Sequence, residues 1–119
     1  MENDRELLEL AAKAAGVKYS VRDDEYYKTH KFFGLWIVYD YEPSEYTRRY
    51  WNPLTDDGDA LRLAVKLRME VDAWGAGASA VVKANGRAMV TEPHYGDDPD
   101  RATRRAIVRA AAEVGRAME

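Results

Sequence analysis

Apolar residues recur along this chain with two different periods, and the switches between them mark out its elements. Leu7, Leu8, Leu10, Ala11, Ala14 and Ala15 fall at helical spacing and predict an opening helix. Asn3 stands where it can cap that helix, Glu6 holds the capping-box position, and Gly16 follows as a left-handed stop. The period then drops to two: Val17, Tyr19 and Val21 predict a first strand, and the charged run 22–31 a loop or a frayed hairpin end. Residues 32–41 are the most β-prone run, with Leu35, Ile37 and Tyr39 on one face and Trp36 and Val38 on the other. They predict a central strand, ended by Pro43, and a linker through Trp51 leads on to the next helix.

Thr55 is the expected cap of that second helix, with Asp56, Asp57 and Asp59 in its first turn and Lys66 and Arg68 at its far end, the order the helix dipole favours. Its expected buried side is Ala60, Leu61, Ala64, Val65 and Leu67. Three short strands should follow: Met69–Trp74, then 80–84 after a glycine-rich turn at 75–77, then 87–91 after Asn85-Gly86, a pair that tolerates the positive φ of a tight hairpin turn. Asp98 and Pro99 open the last helix. Thr103, Ile107, Ala110, Ala111, Val114 and Met118 line one side of it, and Arg101, Arg105, Arg109 and Arg116 cluster near the opposite side. The order αββαβββα predicts an α+β fold: one antiparallel or mixed sheet of about five strands, packed with three helices in an α-β-α sandwich.

Length and composition narrow the picture. A chain of 119 residues that is 46% hydrophobic and 33% charged is expected to fold as a single domain, residues 1–119. There is no cysteine, which removes disulfides, thiolate zinc sites and cysteine nucleophiles together. The acidic start, residues 1–6, is unlike a secretion signal, and no segment reads as a membrane span. A net charge of -3 argues against a general affinity for phosphate backbones.

Candidate chemistry is sparse. Asp56, Asp57 and Asp59 around Gly58, and Asp97, Asp98 and Asp100 after Gly96, lack calcium-loop spacing and stand where carboxylates cap helices. His30 and His94 are too few for a zinc site without further ligands, and Ser20, Ser44 and Ser79 lie in no nucleophile elbow. Gly75-Ala76-Gly77-Ala78 leads into a strand, which is hairpin rather than phosphate-loop geometry. No catalytic residue, metal or cofactor is expected. Tyr46-Thr47-Arg48-Arg49-Tyr50-Trp51 mixes arginine with aromatics, a composition that stacks bases or anchors a protein partner, while Trp51 is expected to cover the edge of the core. The expected binding residues are Tyr26, Tyr27, Tyr46, Arg48, Arg49, Tyr50, Trp74 and Tyr95.

Three stretches bear a family likeness. They are 51–67, opening Trp51-Asn52-Pro53-Leu54-Thr55-Asp56-Asp57-Gly58-Asp59; 97–118, opening Asp97-Asp98-Pro99-Asp100-Arg101; and 6–16, Glu6-Leu7-Leu8-Glu9-Leu10-Ala11-Ala12-Lys13-Ala14-Ala15-Gly16. Together they resemble the small phage and prophage proteins of the phage ABA sandwich domain family, touching all three helices and about half the chain. The resemblance implies a sheet between helical layers and carries over no catalytic residue. With no catalytic constellation, and with the aromatics and arginines named above available as anchors, the expected function is that of a phage accessory protein in the host cytoplasm, not an enzyme, that binds a host or bacterial defence protein. The alternatives are a nucleic-acid-associated replication or regulatory factor, disfavoured by charge, and a small metal- or nucleotide-binding protein. A homodimer contact is a further use for exposed aromatics.

Overall fold

The computed structural model describes residues 3–20, 35–37, 49–74, 77–82, 89–93 and 98–118. In chain order their elements are α1 (Asp4–Ala15), β1 (Tyr19–Ser20), β2 (Leu35–Ile37), β3 (Arg49–Trp51), α2 (Asp57–Lys66), β4 (Met69–Trp74), β5 (Gly77–Val82), β6 (Met89–Pro93) and α3 (Pro99–Ala117).

The helix ends follow from their capping chemistry. The Asn3 side chain accepts the Glu6 amide at 2.8 Å, and Gly16 closes α1 at φ 69°, a left-handed conformation that glycine adopts without steric cost. Asp98 accepts the Arg101 amide at 3.0 Å, and Pro99 opens α3. At α2 the cap is Asp56, not Thr55. The amides of Thr55 and Asp56 both donate to the Asn52 carbonyl, so the turn begun at Asn52-Pro53 runs through Thr55 before the helix can start.

The strands correct the expected architecture. No single sheet of about five strands lies between helical layers: the described strands form two separate three-stranded antiparallel sheets, β1-β2-β3 and β4-β5-β6. Residues 49–51, expected as linker, turn back on β2 in the register Leu35↔Trp51, and α2 then separates the first group of strands from the second. The helices also fail to sandwich a sheet. α3 lies on β5 and β6, α1 packs against α3, and α2 touches both α3 and β4, so the layers run sheet, helix, helix. Alternation along a strand says that one face is covered; it does not say which strand lies alongside.

The core is accordingly helical. Its buried members come from α1 (Leu7, Leu8, Ala11, Ala12, Ala15), α2 (Ala60, Leu63, Ala64) and α3, with Trp51 and Leu54 from the segment before α2. α3 is buried over a broader arc than expected: Ala102, Ala106, Val108, Ala112 and Gly115 join Ile107, Ala110, Ala111 and Val114, while Arg101, Arg109, Glu113 and Met118 are exposed. Small side chains let α1 approach closely. A Cβ placed on Gly115 would stand 2.0 Å from the Leu10 carbonyl oxygen, so only glycine fits there.

Candidate functional site

The apolar residues of α2 are too many for one interface. At 100° per residue, Leu63, Leu67, Ala60, Ala64, Leu61 and Val65 cover an arc of roughly 200°, about twice the stripe one buried face needs. Ala60, Leu63 and Ala64 take the core. Leu61 and Val65, expected on the buried side, are instead 64% and 68% exposed.

Polar contacts at the N-terminal end of α2 hold the helix in that attitude. Asp59, whose side chain is only 3% exposed, accepts the Asn52 amide at 2.9 Å and the Arg62 guanidinium at 2.7 Å. Its own amide donates to Asp56, and Asn52 in turn accepts the Leu54 amide on its side-chain oxygen. Arg104 of α3 donates through Nε to the Leu54 carbonyl at 2.9 Å and through Nη1 to Asp57 at 2.6 Å. The buried carboxylate is therefore satisfied by an amide and a cation, as a buried charge must be.

Between α2, β4 and α3 this leaves an open groove of about 380 Å³. Ala60, Leu61 and Ala64 form one wall, Val71 and Ala73 the strand side, and Thr103 and Ile107 the other wall. Asp57, Asp100 and Arg104 close one end. Val71, 38% exposed, and Ala73 are two apart on β4 and so share a face. With Leu61, and Val65 one turn further along α2, they make a contiguous exposed apolar strip.

The residues singled out from sequence are placed elsewhere. Tyr26, Tyr27, Tyr46, Arg48 and Tyr95 lie outside the described residues, as do His30, His94 and Asp97. Arg49 and Tyr50 fall in β3, opposite Ile37 and Trp36, and Trp74 ends β4 opposite Gly77; their side chains are outside what is described. Trp51 is buried, as its edge-of-core reading required. The aspartates at the helix starts have structural work: Asp56 and Asp98 cap, Asp57 and Asp59 meet arginines. Among the described residues no three His, Cys, Asp or Glu side chains gather as a metal site would need. On α3, Arg105 reaches Asp4 at 3.1 Å and Glu92 at 3.7 Å, Arg109 meets Glu92 at 2.5 Å, and Arg116 pairs with Glu113. The groove was missed because Leu61 and Val65 were assigned to the buried side with Ala60, Ala64 and Leu67, while the buried Leu63 was not; the excess width of the apolar arc was the available signal.

No protein-family model, curated protein or solved structure matches this chain. No helix among the described residues is long and apolar enough to cross a membrane.

Proposed function

We propose that this chain is a non-enzymatic binding protein, a phage accessory factor that docks on a host or bacterial defence protein through the groove between α2, β4 and α3. The observation that carries the reading is the exposed strip of Leu61, Val65 and Val71. Single exposed apolar residues are ordinary, but a contiguous strip alongside a groove marks an interaction surface. The phage assignment rests on the resemblance of the helices. Arg105 and Arg109 direct their charge to Asp4 and Glu92, which weighs against the nucleic-acid alternative.

The test is affinity capture from lysates of infected and uninfected host cells, with the wild-type chain and a Leu61→Asp/Val65→Asp variant as paired baits. A protein held by the wild type and lost from the variant is the expected result. Identical captures by both baits, or no capture above background by either, would overturn the proposal.

A further inference from the structure

We infer that α2 pairs antiparallel with α2 of a second copy of this chain across a two-fold axis, covering Leu61 and Val65, so that self-association and partner binding exclude one another. The exclusion rests on the binding reading above; the pairing stands on α2 itself. A two-fold contact sets one patch against the same patch, which must therefore be complementary to itself. At 100° per residue Asp57, Gly58, Leu61 and Val65 fall within an arc of about 100°, and Arg68 stands about one turn past Val65. An axis midway between Leu61 and Val65 brings Leu61 of each copy to Val65 of the other. Gly58 offers no side chain to hold the helices apart, and Asp57 of each copy comes near Arg68 of the other.

The charges at the two ends of α2 fit that arrangement. At the N-terminal end Asp56, Asp57, Asp59 and Asp100 outnumber Arg62, Arg104 and Arg101, and Arg101 lies about 110° round α3 from the groove lining. Asp57 gives Oδ1 to Arg104 and is otherwise exposed, and Asp100 makes no ion pair among the described residues. At the C-terminal end Lys66 and Arg68 are exposed and likewise make none, against Glu70 two residues on, which lies on the opposite face of β4 from Val71. An antiparallel copy thus lays the acidic end over the basic end twice, the order that the helix dipoles also favour. Two helices of ten residues, each roughly 15 Å long, bury less than the roughly 1,200 Å² of a stable complex, so the pair is a reversible one that a partner can displace.

The test is sedimentation equilibrium of the full chain over about 5 to 500 μM. The mass is expected to rise with concentration from the 13.5 kDa of one chain towards twice that. Leu61→Asp/Val65→Asp should hold it at one chain, and Arg68→Asp and Asp57→Lys should each weaken association about tenfold. Mixing those last two should restore it, because one native pair is kept and the other is reversed in sign. Aspartate is tolerated at the φ of 53° that Arg68 adopts, and the methyl resonances of buried Val108 check the fold of every variant. Should Asp57→Lys unfold, Arg68→Asp and Leu61→Asp/Val65→Asp still decide. A mass of one chain at every concentration, association indifferent to either of those variants, or a mixture no stronger than its parts overturns the pairing. A captured complex holding two copies of this chain overturns the exclusion. A wild-type chain that stays monomeric yet captures a protein lost from Leu61→Asp/Val65→Asp overturns the pairing and leaves the binding reading standing; a dimer that captures nothing does the reverse.

Discussion

Two helix contacts in this protein are built from similar sequence in opposite ways. α1 and α3 meet through alanines and one glycine, close enough that Gly115 touches the Leu10 backbone, and nearly every apolar side chain at that contact is buried. α2 meets its neighbours with only part of its apolar surface: Leu61 lines a groove and Val65 is exposed one turn further on. α2 is fixed at its N-terminal end by the Asp59 carboxylate and by Arg104. The polar contacts at the end of α2 hold it with a hydrophobic face uncovered, whereas α1 meets α3 through buried small side chains, with the Arg105–Asp4 ion pair beside them.

The strongest way to break the comparison is at the close crossing. Gly115→Val should destabilise the fold by about 3 kcal/mol or more and lower the melting temperature by about 10 °C or more, because the clash is with backbone and cannot be relieved by a rotamer change. A loss of less than about 1 kcal/mol in thermal or urea unfolding would show that the two helices are not locked. Next, Asp59→Ala should cost about 2 kcal/mol, since it strands the buried Asn52 amide. If urea unfolding finds that change neutral, α2 is held by its apolar side after all. At the groove, Leu61→Ser and Val65→Ser should change stability by no more than about 0.5 kcal/mol. A larger cost would mean that these side chains are covered in the folded monomer.

The smallest effect belongs to Tyr19. Burial pushes its phenol above the ordinary value, the charge of Glu9 adds to the shift, and Arg5 offsets part of it. Because the folded form holds the proton more tightly, the associated stability is present below pH 10 and is lost as pH rises through the folded value. Unfolding midpoints measured across that window should fall less steeply for Tyr19→Phe than for the wild type.

What could be read from sequence was local. Asn3, Gly16, Asp98 and Pro99 act within a few residues of themselves, so their roles as caps and stop were legible, as were the bounds of β4. Choices among distant partners were not. Nothing in Arg49-Tyr50-Trp51 states that it will pair with β2, and nothing in the strand periods separates one sheet from two. On α3, alanines occur on every side, so periodicity understates its burial. The candidate site lay in that same gap: Leu61 and Val65 were visible as apolar, but their exposure depends on how α2 is rotated by contacts with Asn52 and Arg104.

The Leu10–Gly115 contact also governs the order in which the chain can assemble. It joins the first helix to the last, so the largest helix pair cannot form until α3 has left the ribosome. Until then α1 lacks the helix it approaches most closely. A nascent chain stalled before α3 lacks the helix that supplies nearly half of the described buried core residues.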